Sequence, residues 1–331
     1  MPLFFLLAGA GTYYALRSRK AILFAADRSL RLLVPLLFGM VVIVAPQAYY
    51  EAISHGVGLN GNLLQLYGGF LKDFTGLNWY HLWFLAYLFV FSIITLPLFV
   101  SRRGIDKSII SRISAVCDKP WVLLPALIIP LAIFDAFLYP GGFWGDKSNG
   151  GWTVISNLLF FVSGYFIFAN ARIIETIKKI GWVTLGTAVI AIVCLVVFFI
   201  DPLGNPTDFF GTTQYIAAQF VQALNTWCWL LAILSLGTRY LTKNNKFLTY
   251  SNEAVLPFYI LHQTVIIVIG FYVVQWNTGI GLKYLATTVS SFIVIMAIYE
   301  LLIRRIPIFR FLFGMGSKRK PPTSPIVPVS H

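Results

Sequence analysis

Apolar runs of about twenty residues alternate along the chain with short polar stretches, and this is the length an α-helix needs to cross the hydrocarbon of a bilayer. The runs fall at Pro2 to Leu16, Leu30 to Tyr50, Tyr80 to Val100, Trp121 to Tyr139, Trp152 to Asn170, Gly181 to Ile200, Thr213 to Gly237, Glu253 to Val274 and Leu282 to Ile303. They predict an all-α fold, a polytopic transmembrane helical bundle of about nine spans. No internal repeat of roughly 20 to 50 residues recurs, so a solenoid is excluded. Between the second and third runs, Leu63, Leu64, Tyr67, Phe70, Leu71 and Phe74 would share one face of a helix, which predicts an amphipathic segment lying on the outer membrane surface. The glycine-rich stretch from Pro140 to Gly151, with Trp144, Asp146 and Lys147, predicts an irregular, mobile outer loop.

Composition agrees: 58% of residues are hydrophobic and 11% charged, against roughly 25% charged in a soluble domain. The net charge of +13 would suit nucleic acid if it were spread over a surface, but it is segregated. Of the 25 lysines and arginines, all but Lys72, Lys147 and Lys283 lie in alternate connections between the runs and in the C-terminal region. The positive-inside rule puts that set in the cytoplasm, the N-terminus outside and the C-terminus inside, and no nucleic-acid partner is expected. Residues 1–313 read as one membrane domain. Residues 314–331, with Lys318, Arg319 and Lys320, read as a disordered basic tail beside anionic lipid. Cys117 falls in a cytoplasmic connection and Cys194 and Cys228 inside spans, so no structural disulfide is expected. Met1 runs directly into apolar residues without the basic stretch of a cleaved signal. The first span is therefore expected to be retained, although its roughly 15 residues cover only about 23 Å of the roughly 30 Å hydrocarbon.

The chemistry on offer is sparse. There is no P-loop, dinucleotide fingerprint, HExxH or Cys/His cluster, which predicts no bound cofactor and no metal. Of the four histidines, His55, His81 and His262 are the usable imidazoles, a side chain able to take and return a proton near neutral pH. His81, at the outer mouth of the third span in Asn78-Trp-Tyr-His-Leu-Trp, reads either as an interfacial belt residue or as a base within reach of water. His262 lies past Pro257, near mid-membrane, as either a functional or a helix-bridging group. His55 reads as solvated, and Asp135 as interfacial. Arg28 and Arg31 open the second span three residues apart, so both can face a phosphate-bearing ligand or simply anchor the helix in the cytoplasm. Glu300 can pair with Arg304 one turn on, which suits a structural ion pair as well as catalysis.

Taken in order, these motifs resemble the membrane-bound acyltransferase-3 family, and within it the glucan-modifying branch of the glucan biosynthesis protein C type. Met1-Pro-Leu-Phe-Phe-Leu-Leu-Ala-Gly is similar to that family's second span, Arg28-Ser-Leu-Arg31-Leu-Leu-Val-Pro35 to the start of its third, and His81-Leu-Trp83-Phe-Leu to that of its fourth. Tyr259-Ile-Leu-His262-Gln and Tyr299-Glu300, followed by Arg305-Ile-Pro-Ile-Phe-Arg310-Phe-Leu-Phe, resemble its last two. The resemblance implies transfer of an acyl group, acetyl or succinyl, from cytoplasmic acyl-CoA as co-substrate to a hydroxyl of an extracytoplasmic polysaccharide or glucan. The setting would be a bacterial-type cytoplasmic (inner) membrane, with lipid as the surrounding partner. It further implies that Arg28, Arg31, Trp83 and Glu300 bind substrate. It also implies that the chain begins at the family's second span, without the upstream arginine and histidine base, so that His81 or His262 is left as the catalytic candidate. The alternatives are a transporter or flippase of a glycan or lipid-linked sugar, with His262 and the Pro257 kink as its midplane site, and an inactive truncated paralogue.

The orientation is checked with an impermeant reagent added from outside. Probes placed in the loops at Lys72 and Lys147 are expected to be labelled, and probes at Arg103, Lys178 and Lys243 to be protected.

Overall fold

The computed structural model describes residues 1–54, 79–101, 119–142, 144–148, 150–197, 209–241 and 245–316. His55, Lys72, Cys117, the amphipathic stretch from Leu63 to Phe74 and the basic cluster from Lys318 lie outside the described residues. All regular structure among the described residues is helical, with no strand. The helices are α1 (Pro2–Ser18), α2 (Ala21–Glu51), α3 (Tyr80–Ile94), α4 (Pro120–Phe137), α5 (Val154–Ala169), α6 (Ala171–Leu195), α7 (Thr213–Tyr240), α8 (Lys246–Val273), α9 (Ile280–Ile303) and α10 (Pro307–Leu312), with a short helix, Leu96–Ser101, following α3. Among them six, α2, α4, α6, α7, α8 and α9, are long and apolar enough to cross a membrane, while α3 and α5 are shorter apolar helices.

Several helices start well before the apolar run that predicts them: α2 at Ala21 rather than Leu30, α6 at Ala171 rather than Gly181, and α8 at Lys246 rather than Glu253. An apolar run marks where side chains meet lipid, whereas the helix continues into polar sequence for as long as its backbone bonds can be made. Starts are set by local chemistry. Thr153, Asn170 and Thr212 each accept a hydrogen bond from a backbone N–H in the first turn of α5, α6 and α7, which satisfies donors that the helix itself leaves unpaired. Helix α8 continues through Pro257.

The chain divides into two compact units. The first comprises Met1–Ala26 and Tyr87–Asn245. Lipid gives little hydrophobic drive for helices to associate, so close approach through small residues carries the packing. A Cβ on Gly9 would lie 1.9 Å from the Phe161 carbonyl oxygen, and one on Gly164 would lie 1.9 Å from that of Leu6, so α1 and α5 touch backbone to backbone. Gly181 plays the same part between α6 and α7, where an added Cβ would meet the Ser235 side chain at 2.1 Å. Asp135, expected at the interface, is 1% exposed. Its Oδ1 accepts a hydrogen bond from Ser156 at 2.9 Å and faces the Lys147 ammonium at 3.8 Å, which also donates to Gln219. The loop expected to be mobile thus sends a lysine into the helices, and that cation lets the carboxylate be buried.

The second unit comprises Asp27–Ala86 and Lys246–His331, described here as far as Gly316. Its core gathers Leu36, Val44, Leu82, Leu85, Ile260, Leu261, Ile295 and Tyr299. Helix α2 contains two wider π-turns, Ser29–Leu33 and Gly39–Ile43, and α9 ends in a third, Tyr299–Ile303. Such turns break the register of a helix face and are frequent at functional sites. The Thr264 hydroxyl on α8 donates to the carbonyl of Ile43 at 2.9 Å, and the Tyr50 and Tyr272 hydroxyls meet at 2.8 Å.

Gly164→Leu is expected to cost at least about 3 kcal/mol, the upper end for overpacking, because backbone rather than a side chain must yield. Gly186→Ala, where nothing lies within 4 Å of the added methyl, should leave stability unchanged or slightly improved. Thermal unfolding of the two variants in the same detergent checks both.

Candidate active site

Two features of the second unit have the ingredients of a reactive site. The first is a cavity of about 480 Å3 at the Arg28 end of α2, lined by Arg28, Arg31, Asn252, Glu253, Leu256 and Arg310 together with Gly314–Gly316. The π-turn Ser29–Leu33 carries Arg31 into this wall beside Arg28, so the two arginines predicted to face one way do so. Arg31 is also held by Asp27, its Nε 2.9 Å from Oδ1. Arg310, from α10, is 9% exposed. Its Nη2 lies 2.8 Å from Glu253 Oε1 and donates to the Gly316 carbonyl at 3.1 Å.

Gly314 closes this wall in a way no other residue could. Its φ is +69°, and a Cβ there would lie 2.5 Å from the Arg31 carbonyl oxygen. The left-handed conformation and the close approach both call for glycine. Three guanidiniums against one lining carboxylate make the cavity suited to an anion with several oxygens, because guanidinium forks bind phosphate in pairs.

The second feature is a pair of histidines. The α3 helix opens with a tight turn, Tyr80–Leu82, seated against α8. His81 Nε2 lies 3.0 Å from the Ile260 carbonyl oxygen, and the Tyr259 hydroxyl donates to the His81 carbonyl. A carbonyl only accepts, so Nε2 carries the proton and Nδ1 carries the lone pair. That Nδ1 is buried with no hydrogen-bond partner. His262 likewise turns Nδ1 to the carbonyl of Tyr259, and the rings of His81 and His262 meet edge to face with centroids 5.2 Å apart. Just before His81, Tyr80 has φ of +41°, a positive value for a non-glycine residue. Strain of this kind persists only where surrounding contacts enforce it.

This geometry changes the sequence expectations in two respects. His81 is 7% exposed and hydrogen-bonded to another helix, so it is not an interfacial belt residue. Nor are the two histidines separated in depth as their positions along their own helices suggest, because distance along one helix says nothing about where a second helix begins beside it. Glu300 makes the expected pair with Arg304, with two contacts of 2.9 and 3.1 Å, and Arg304 lies over the Tyr250 ring. Glu300 is not among the residues lining the cavity. Trp83 is buried, with its ring edge-on to Phe84, and is not among the lining residues either.

Sequence reasoning passed over Arg310, Glu253 and Asn252 as site residues. The available signal was Arg310 itself, a charge inside the apolar stretch from Ile306 to Phe313, which needs a partner if that stretch is packed. Among the described residues no group of three or more His, Cys, Asp or Glu is placed to hold a metal.

A family model described as an acyltransferase domain, of the acyltransferase-3 type, matches residues 1–300. No curated protein and no solved structure matches the chain.

The two ion pairs of this region should differ in weight. Arg304 is 42% and Glu300 35% exposed in their side chains, so Arg304→Gln is expected to cost under about 1 kcal/mol. Arg310 is 11% exposed in its side chain and would leave Glu253 with its partner removed, so Arg310→Gln should cost roughly 2 kcal/mol or more. Unfolding midpoints of both variants test the order.

Proposed function

The chain belongs to the acyltransferase-3 family, and from that premise we propose that it is a membrane O-acyltransferase, moving an acetyl or succinyl group from cytoplasmic acyl-CoA to a hydroxyl of an extracytoplasmic glycan of the glucan type. The observation that carries this reading is the arginine-walled cavity. Its positive excess and its volume suit the phosphates of a coenzyme A thioester, and the basic connections of the chain favour the cytoplasm for that end.

In this reading Arg28, Arg31 and Arg310 hold the phosphates, and His81 supplies the base. As the acceptor oxygen attacks the thioester carbonyl, its proton passes to Nδ1 of His81; the new C–O bond forms, the C–S bond breaks, and the departing thiolate takes the proton from the imidazolium. The Ile260 carbonyl keeps His81 in the tautomer whose lone pair lies on Nδ1, so no rearrangement of the ring precedes proton transfer. His262 holds the ring from its edge and is a positioning residue. Trp83 and Glu300 support the walls of the site indirectly, through packing and the Arg304 pair.

Radiolabelled acyl transfer to a glucan in proteoliposomes tests the assignment. Arg28→Ala and Arg31→Ala are each expected to raise the KM for the acyl donor by about tenfold, the scale of one lost charge-assisted bond of roughly 1.5 kcal/mol, with insertion unchanged. His81→Ala should lower kcat by at least about a hundredfold, as for loss of a general base, and His262→Ala by less. Unchanged donor use in both arginine variants would reduce the pair to topological anchors, and full activity of the His81 variant would remove it from the chemistry.

A further inference from the structure

At the end of the second unit opposite the arginine cavity, α2 carries two polar residues that the reading above does not use. Gln47 is 1% exposed, and its Oε1 has no hydrogen-bond partner; Glu51, one turn on along the same helix face, has an equally unpartnered Oε2. Glu51 interacts with Tyr80, the residue that precedes His81, which links the acceptors of α2 to the turn that carries the lone pair on His81 Nδ1. All three atoms have the same character. The Gln47 carbonyl oxygen, a carboxylate oxygen and an imidazole lone pair can each accept a proton donor and cannot offer one. Buried acceptors left without donors are unfavourable unless a ligand or water supplies the missing hydrogens.

We infer that Gln47, Glu51 and His81 form the seat of a polyhydroxylated acceptor, whose O–H groups complete these three atoms and whose reacting hydroxyl is the one at His81 Nδ1. The inference rests on the acyltransferase reading and names where its second substrate sits. Two further features suit a sugar. Tyr50, Phe271 and Tyr272 cluster at the same end, with the Tyr50 ring 5.0 Å from Phe271 and 5.8 Å from Tyr272, and exposed aromatic faces pack against the apolar C–H faces of a pyranose. Glu51 brings negative charge, which disfavours a phosphate or carboxylate ligand and leaves neutral hydroxyls as the donors.

The test uses the full chain in detergent without acyl donor, titrated with cellobiose, with glycerol and with fully O-methylated cellobiose, and separately with coenzyme A. Cellobiose is expected to bind saturably, and the methylated sugar at least tenfold more weakly because it has no O–H to give. Gln47→Leu and Glu51→Leu should each weaken cellobiose binding tenfold or more while coenzyme A binding stays within twofold. Gln47→Glu, which keeps an acceptor oxygen, should restore most of the loss. Equal binding by the methylated sugar, undiminished binding in both variants, or no saturable binding of either hydroxyl compound overturns the inference. If Gln47→Leu also loses coenzyme A binding, Glu51→Leu decides. Sugar binding that depends on these residues without any acyl transfer would fell the acyltransferase reading and leave the site. Acyl transfer with an unchanged acceptor KM in both variants would do the reverse.

Discussion

A bilayer core offers no hydrogen bonds, so every peptide group placed in it must find its partner inside the protein, and the architecture here follows from that demand. Helices meet it residue by residue. Polar side chains from neighbouring helices add partners to this ladder: Thr264 donates to Ile43 at the end of a π-turn, Tyr215 donates to the carbonyl of Asp135 near the end of α4, and His81 and Tyr259 exchange bonds with each other's segments. The last of these has a chemical by-product. The Ile260 carbonyl, acting as a second acceptor beyond its place in the helix, fixes which nitrogen of His81 bears the proton and so which nitrogen carries the lone pair.

What could be read from the sequence was what depends on neighbours along the chain. The all-helical class, the apolar runs, the pairing of Glu300 with Arg304 and the shared direction of Arg28 and Arg31 are all set within a turn or two of helix. What could not be read was which helices stand side by side. Arg310 meets Glu253 at a sequence separation of 57, and His81 reaches Ile260 at one of 179; an apolar run reports that a helix faces lipid or core and carries no address for its neighbour. Asp135 and Lys147 were misjudged for a related reason. Each taken alone suits the membrane surface, and only the folded loop makes them partners.

The second unit holds chemistry of opposite kinds at its two ends. At one end guanidiniums converge and carboxylates hold them in place; at the other, oxygen and nitrogen lone pairs gather beside tyrosines. Such polarity separates a place suited to anions from a place suited to hydroxyl donors.

The cavity at Arg31 is walled by residues from both extremities of the chain, with Gly314 fitting under the Arg31 carbonyl only because it has no side chain. During synthesis at about 5 to 20 residues per second, Arg31 exists for tens of seconds before Gly316 is made. Over that interval the arginines have no cavity to line. Ligand binding at this place therefore depends on α10 and the turn after it, and any product that ends before them would lack the wall that Gly314 closes.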